Sequence, residues 1–480
     1  MDHFEQLGLS ENMLDVMRKK GFGTPTPIQQ KVIPFLLNER RDVLAQAQTG
    51  TGKTAAFGIP IIEQIEARPR HVKALVLVPT RELAIQAAEE LNSLKGAKKL
   101  KIAPIYGGQA IGLQLKHLQE GVDIVVGTPG RTIDHLRRGS LRLDKISFLV
   151  FDEADEMLDM GFIDEINEIM EFVPAEKQTM LFSATMPRPV VSIARRYMNE
   201  YETISDNQRQ QTATLTDQIY FKVSEQDKFE ALCRILDMEP DFYGLIFCRT
   251  RTDTENVASR LISRGYKAAI IHGEINQGQR EKTMRGFRQR QTNILVATDV
   301  AARGIDVNDL SHVINYALPQ DPESYIHRIG RTGRAGKRGA AITFVAPREL
   351  RLLDLIRKVS GAPIRKGSVP KIDDIIKSRR NRLKNEIKTT MQSKDLGTFK
   401  IMAAELLKDA DPVEVLAACL NISFGNKLDT CGYNEIQEVD PIDIKDHTRI
   451  FMAKGHRPPR KKAARWHQGS RAGKGPDRLK

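Results

Sequence analysis

The sequence predicts an α/β chain: two tandem, doubly wound parallel-sheet domains, then a small helical region and a disordered basic tail. Three observations carry this. Short apolar runs of Val, Leu and Ile recur between helical stretches, as a parallel sheet covered on both faces requires. The series lapses once and starts again. Past residue 361 the runs stop, and helical spacing followed by basic residues takes over.

In the first series, residues 42–47 (DVLAQA), 73–80 (KALVLVPT), 123–128 (DIVVGT), 148–152 (FLVFD) and 179–183 (TMLFS) read as buried strands. Strands alternating with helices imply right-handed crossovers. Residues 205–214 (SDNQRQQTAT) hold no large apolar side chain and read as a linker. The second series is 218–223, 244–248, 268–272, 294–298, 312–316 and 340–345. The expected domains are therefore 1–204 and 215–360, then a helical region 361–425 and a basic tail 426–480. In the helical region Ile372, Ile376, Leu383 and Ile387 keep helical spacing, and 399–407 and 413–420 read as two short helices. The second has Asp411 as N-cap, Pro412 in the first turn and Glu414 three residues after the cap.

The chain has 480 residues and a formal net charge of +13. Residues 454–480 carry ten Lys or Arg against Asp477 alone, so +9 sits in the tail and +4 in the rest. Such charge suits a polyanion, and it equally suits plain solubility. Cys233, Cys248, Cys419 and Cys431 form no C-x-x-C pair and read as reduced thiols. The start, MDHFEQLGLS, lacks the apolar core of a signal peptide, and no apolar stretch is long enough to span a bilayer. A cytoplasmic protein without a membrane partner is expected.

Residues 47–54 read AQTGTGKT, after a predicted strand and at the start of a predicted helix. That is the setting of a phosphate-binding loop. Gln48, Thr49, Gly50, Thr51 and Gly52 form the loop; its glycines let backbone N–H groups turn inward around phosphate oxygens. Lys53 supplies positive charge, the Thr54 hydroxyl can bind Mg²⁺, and the helix N-terminus adds its dipole. Residues 148–155 read FLVFDEAD, so an apolar strand delivers Asp152 and Glu153 to its C-terminal end, where ligands sit in open α/β sheets. Asp152 is suited to hold Mg²⁺, partly through water, and Glu153 to orient or deprotonate an attacking water. The second domain has no glycine and no GK pair after 244–248, so one nucleotide is expected per chain.

Further motifs follow in order: GFGTPTPIQ (21–29), PTRELA (79–84), GG (Gly107, Gly108), TPGR (128–131), SAT (183–185), LIFCRT (245–250), HGE (272–274) with Gln277 and Arg280, ATDVAARGID (297–306) and YIHRIGRTGRAG (325–336). With DEAD (152–155) and AQTGTGKT, this series resembles the DEAD-box helicases from Phe4 to about residue 336. The resemblance implies RecA-like domains, ATP with Mg²⁺, and RNA-dependent ATP hydrolysis that unwinds short RNA duplexes. By it, Gln29 reads the adenine edge and Phe4 stacks on the base. Arg331 and Arg334 become arginine fingers at the γ phosphate, and Asp306 reaches the ribose. Asp155, Ser183, Thr185 and His327 become an interdomain coupling network.

Thr, Arg and glycine N–H groups in short loops suit sugar–phosphate contacts. By the resemblance, Thr80, Arg81, Gly108, Thr128 and Arg131 line RNA in the first domain, and Arg249, Gly273, Gln277 and Thr298 in the second, with Arg280 supporting Gln277. Such contacts read backbone, so little sequence specificity is expected. Residues 371–420 are similar to the dimerisation region of some bacterial DEAD-box helicases, and a homodimer through 361–425 and an extension packed on the second domain both remain open. The tail reads as a nonspecific RNA tether, with a plain solvated tail as the alternative. Ribosome-assembly or RNA-decay complexes are the expected settings. An ATP-dependent RNA clamp and a DNA helicase are the competing classes. Glu153, Arg331 and Arg334 favour turnover over the first, and the adenine-reading element argues against the second.

Overall fold

In a computed structural model the described residues are 2–48, 50–66, 71–205, 216–302, 310–333, 339–360, 363–392, 396–408, 410–428 and 433–436. Two seven-stranded parallel sheets dominate them. The first has the order β3-β4-β2-β5-β6-β1-β7, with β1 Asp42–Gln46, β2 Ala74–Leu77, β3 Ile102–Ile105, β4 Ile124–Gly127, β5 Phe148–Phe151, β6 Gln178–Ser183 and β7 Tyr201–Ser205. The second has the order β10-β11-β9-β12-β13-β8-β14, with β8 Thr216–Lys222, β9 Gly244–Cys248, β10 Ala268–Ile271, β11 Ile294–Thr298, β12 His312–Asn315, β13 Gly339–Val345 and β14 Arg365–Gly367.

The apolar runs become central strands because both sheet faces are covered. Val43 and Ala45 of β1 join one apolar cluster while Leu44 between them joins the other. Likewise Val76 of β2 faces one side and Leu75 and Leu77 the other. Every core strand expected from the sequence is present within a few residues. The register sets Gln46 beside Ser183 on one side and Ser205 on the other, so the phosphate-loop strand ends level with SAT.

Three strands escape the sequence reading: β3, β7 and β14, all at sheet edges. The expectation that strands stop at 361 is therefore corrected. β14 extends the second sheet, pinned by Arg365, whose Nε and Nη2 bond both Asp217 carboxylate oxygens at 3.0 and 2.6 Å. The linker expected at 205–214 lies outside the described residues apart from Ser205, which ends β7.

The helical region comprises Ile372–Met391, Gly397–Leu406 and Pro412–Leu428. Asp411 caps the last, its Oδ2 accepting from Val413 and Glu414 N–H at 3.0 and 3.1 Å. That helix outruns the expected 413–420 and crosses the expected tail start at 426. After it, Tyr433 donates to Asp237 Oδ2 at 2.5 Å, the Asn434 carbonyl accepts from Arg234, and Ile436 packs on the second domain's core. The members of the expected stripe, Ile372, Ile376, Leu383 and Ile387, are only partly buried, and Ile375, outside that stripe, is the fully buried residue of the first helix. Most of the tail, Cys431 included, lies outside the described residues. Cys233 and Cys248 are buried, and burial pushes their thiols up to about 11 and about 12, so they stay protonated. Among the described residues no helix is long and apolar enough to cross a membrane.

Candidate functional site

The C-terminal ends of the first sheet divide into two halves. DEAD, SAT and the phosphate loop follow β5, β6 and β1, which are neighbours. GG, TPGR and PTRELA follow β3, β4 and β2, also neighbours. Sheet order thus gathers six loops into two adjoining sites at the edge where open α/β sheets bind ligands.

In the first half, Gly50 and Gly52 take φ of 80° and 82°. A Cβ on Gly52 would also lie 2.3 Å from Gln29 Nε2. Gln29 stands at the start of helix Pro27–Asn38, where Thr26 and Gln29 form a reciprocal capping box. Its Oε1 accepts from Thr26 N–H at 3.0 Å and its Nε2 donates to the Gly52 carbonyl at 3.1 Å. The side chain meant to read adenine is therefore locked to the phosphate loop, with one N–H and one lone pair left for a base. Phe4 does not hold the position expected of it. It is 0% exposed, edge-on to Phe22 with centroids 6.2 Å apart, so it has no free ring face. Phe22, only partly buried, is the ring with a surface to offer a base.

Lys53 is buried, with Nζ 3.7 Å from Asp152 Oδ1. Lys53 Nζ, Asp152 Oδ1 and Glu153 Oε2 are all buried without a hydrogen-bond partner. Burial would push the lysine down, but Asp152, Glu153, Asp155 and Glu156 around it hold its pKa up. Burial pushes Asp152 up to about 6, with Lys53 opposing and Glu153 adding. Glu153 sits at φ 55° and ψ 50°, a left-handed conformation costing a non-glycine residue about 1–3 kcal/mol. One cation and two carboxylates, with Lys53 Nζ, Asp152 Oδ1 and Glu153 Oε2 short of hydrogen bonds, beside a loop of inward N–H groups fit phosphates and a divalent ion. Among the described residues no three His, Cys, Asp or Glu side chains converge as a protein-only metal site. Mg²⁺ commonly takes one or two side chains plus phosphate oxygens, a set that Thr54 and Asp152 fit.

Asp155 lies at the centre of the coupling group. Its Oδ2 accepts from Thr185 N–H and Oγ1–H, both at 2.8 Å, and Ser183 Oγ donates to the Thr185 carbonyl at 2.6 Å. From the second domain, His327 Nε2 approaches Asp155 Oδ2 and its Nδ1 approaches Glu156 Oε1, both at 3.6 Å. Arg331 Nη2 lies 3.7 Å from the same Glu156 oxygen. Burial would push His327 down, but the carboxylates of Asp155, Glu156 and Glu153 around it raise it. Burial would raise Asp155, but His327, Lys53 and Thr185 hold it well below the usual carboxylate range. Glu156, the buried acid that meets both cations, was missed; its position directly after DEAD was the signal available. Arg328 was missed too: it is a clasp inside the second domain, bonding Asp299 at 2.5 and 2.7 Å, Asn315 and the Ala317 carbonyl. Thr49, Asp306 and Arg334 lie outside the described residues.

In the second half the expected RNA residues separate into exposed and engaged. Gly108 is exposed, and Thr128, partly buried, caps helix Pro129–Arg137 without a side-chain capping bond. Thr80 differs: it is buried and its hydroxyl accepts from Leu83 N–H at 3.3 Å, capping helix Arg81–Leu94. Arg131 also points inward, its Nη1 donating to Gln109 O and Gln114 Oε1 at 3.4 Å. Arg81 Nη1 donates to the Gly107 carbonyl at 3.4 Å. In the second domain Arg249, Gly273 and Thr298 follow or end β9, β10 and β11, again neighbouring strands. Arg249 bonds Glu349 at 3.2 Å, and Gln277 donates to Glu281 at 2.6 Å. Arg280 does not support Gln277. It crosses to the first domain, with Nε 2.6 Å from Glu82 Oε1 and Nη2 donating to the Ala301 carbonyl at 2.7 Å.

The chain matches three family models: DEAD/DEAH box helicase over residues 26–193, helicase conserved C-terminal domain over 227–336, and RNA helicase DeaD dimerization domain over 370–429. It is 46% identical over 422 residues to the DEAD-box ATP-dependent RNA helicase CshA of Geobacillus kaustophilus, covering 88% of this chain and 90% of that one. To the CshA of Bacillus subtilis it is 42% identical over 474 residues, covering 98% and 94%. Among solved structures it is similar to S. cerevisiae Dbp5 bound to RNA and ADP BeF3, with 32% identity, 78% and 98% coverage and a TM-score of 0.70. Mss116p bound to ssRNA and AMP-PNP gives 28% identity, 78% and 80% coverage and a TM-score of 0.68.

Proposed function

Because this chain belongs to the DEAD-box ATP-dependent RNA helicases, we propose that its interdomain cleft hydrolyses ATP to ADP and phosphate only when both domains also grip RNA. The observation that carries this is the buried set Lys53 Nζ, Asp152 Oδ1 and Glu153 Oε2, none with a hydrogen bond, with His327 and Arg331 of the second domain meeting Asp155 and Glu156 beside it. Gln29 discriminates adenine, and Lys53 and the loop N–H groups bind phosphate. Thr54 and Asp152 would hold Mg²⁺, which supplies charge neutralisation on the β and γ phosphates when bound. Glu153 takes the proton of the attacking water, and Arg331, with Arg334, answers charge developing on the γ phosphate.

RNA then lies along Arg81, Gly108 and Thr128 in the first domain and Arg249, Gly273, Gln277 and Thr298 in the second, read by its backbone. Bending one strand between the domains opens a few base pairs, so short duplexes are unwound locally. The protein acts in the cytoplasm, in ribosome assembly or RNA turnover. It forms a homodimer through its helical region. Phe399, Ile401, Met402, Val413, Leu416 and Ile422 are exposed there, large apolar side chains grouped on two helices, and such clusters commonly mark interaction surfaces.

Steady-state ATP hydrolysis with single-stranded RNA, single-stranded DNA or neither, in wild type and Glu153→Gln, tests the reading. RNA alone should stimulate, and the variant should lose about 10²–10⁴-fold in rate while still binding ATP. Hydrolysis indifferent to RNA would overturn the coupling, and a fully active variant would overturn the role of Glu153.

A further inference from the structure

Gln114 belongs to none of the motifs, yet it is 2% exposed and joins two of the proposed RNA loops. It stands on helix Ile111–Gln119, one turn after GG. Its Nε2 donates to the Tyr106 carbonyl and to Gln109 Oε1, both at 2.9 Å. Its Oε1 accepts from Arg131 Nη1 at 3.4 Å and lies 3.0 Å from His135 Nε2. A primary amide has two N–H groups and two lone pairs, so all four capacities are filled. Because Oε1 can only accept, His135 carries its proton on Nε2, and burial, which pushes this imidazole down, keeps the ring neutral. His135 Nδ1 in turn meets Ser140 Oγ at 2.9 Å.

The partners lie on separate strands. Tyr106 and Gln109 flank the GG pair after β3, while Arg131 and His135 belong to TPGR and the helix after β4. Arg81, from PTRELA after β2, holds the Gly107 carbonyl from the other side. Gly108, at φ 86°, lies so close to Arg81 that a Cβ there would come within 2.3 Å of Nη1. GG is therefore held between Arg81 and Gln114, and Gln114 extends the chain of bonds to TPGR beside one direct bond, from Arg131 Nη1 to the Gln109 carbonyl.

We propose that Gln114 is a positioning residue that fixes GG against TPGR, so that both loops meet one RNA backbone without rearranging. This rests on the reading that these loops bind RNA. A buried, fully bonded amide defines one geometry, whereas a partly satisfied one tolerates several. Loops already placed bind without an ordering cost, so the effect belongs in RNA affinity and not in the chemical step.

Gln114→Glu separates the two sides of the amide. The carboxylate still accepts from Arg131 and His135, but it can no longer donate to the Tyr106 carbonyl or to Gln109 Oε1, so the GG side of the tether is cut. Gln114→Met cuts both tethers at similar volume. Thr128→Glu places a carboxylate on the proposed RNA surface and tests the underlying reading independently. For each variant, the RNA concentration giving half-maximal ATP hydrolysis, the rate at saturating RNA and the melting temperature are measured. Gln114→Glu should raise the half-saturating RNA concentration about tenfold or more, as loss of the two hydrogen bonds donated by Nε2 implies. The rate at saturation should stay within about twofold, because the cut lies in the RNA half of the sheet. If Thr128→Glu weakens RNA binding and Gln114→Glu does not, the inference fails and the RNA reading stands. If neither affects RNA, both fall. If the Gln114 variants lower only the melting temperature or the maximal rate, Gln114 is a core residue and the proposal is wrong.

Discussion

The Arg280–Glu82 pair offers a direct measure of how much domain closure contributes to RNA binding. Arg280 is anchored in its own domain by the Ala301 carbonyl and reaches Glu82 of the first domain at 2.6 Å. The side chains are 8% and 19% exposed. A fully exposed pair would contribute ~0–1 kcal/mol and breaking a fully buried one would cost ~3–5 kcal/mol. This pair lies between, so Glu82→Gln should cost about 2 kcal/mol, or about thirtyfold in the closure equilibrium. The assay is fluorescence anisotropy of a short labelled RNA with and without a non-hydrolysable ATP analogue. With the analogue, affinity should fall about thirtyfold, because nucleotide and RNA then both draw on closure. Without nucleotide it should hardly change, because open domains do not use the pair. Combining Glu82→Gln with Arg280→Met should cost less than the two single changes added, since neither leaves the other charge buried alone. An unchanged affinity with the analogue, or an equal fall without it, would refute the bridge as a closure contact.

Two further outcomes follow from the same interface and from the helical region. His327 is held above its ordinary value only where Asp155 and Glu156 face it, so its contribution to closure is full below pH ~6.5 and fades as pH rises through the raised value. Nucleotide-dependent RNA affinity should therefore weaken on the alkaline side, and His327→Gln should flatten that limb; a limb unchanged in the variant would assign it elsewhere. Phe399→Glu with Ile422→Glu, at positions 69% and 86% exposed, should convert a dimer to monomer in light scattering with little change in melting temperature. A dimer that persists would place the interface outside these helices.

The sequence revealed the central strands and hid three of the four edge strands for one physical reason; the fourth, β10, was legible because AAII is itself apolar. A central strand is covered on both faces and reads as a continuous apolar run, as in residues 148–151. An edge strand pairs on one side only and need not. β3 tolerates Pro104, β7 is the half-exposed YETIS, and β14 is the polar RKG. The site behaved similarly. Glycine spacing, the lysine and the acidic pair were legible because phosphate chemistry demands those residue types. Whether Phe4 or Phe22 showed a free face was not, since that depends on how the short helix Asp2–Glu5 seats Phe4 against Phe22. Nor was the inward turn of Thr80 and Arg131, which is set by side-chain packing within the first domain, or the pairing of Arg280 with Glu82, because spacing within one domain carries no information about the other domain.

Sheet order explains how two ligands can share one switch. In the first domain nucleotide loops follow β1, β5 and β6 and the proposed RNA loops follow β2, β3 and β4. The second domain repeats the division: Arg249, Gly273 and Thr298 lie at β9, β10 and β11, while His327 and Arg331 follow β12. The observed bridges respect it. Arg280 joins the RNA halves through Glu82, and His327 with Arg331 joins the nucleotide halves through Asp155 and Glu156. Each sheet is a packed rigid body, so closing one half without the other requires a pivot that breaks the second bridge. On the proposed function, RNA that seats the first bridge would lower the cost of seating the second, and hydrolysis, by removing the γ phosphate, would weaken the second and so loosen the first. Coupling of this kind needs no signal relayed through either domain, only two contacts far enough apart on bodies that do not bend.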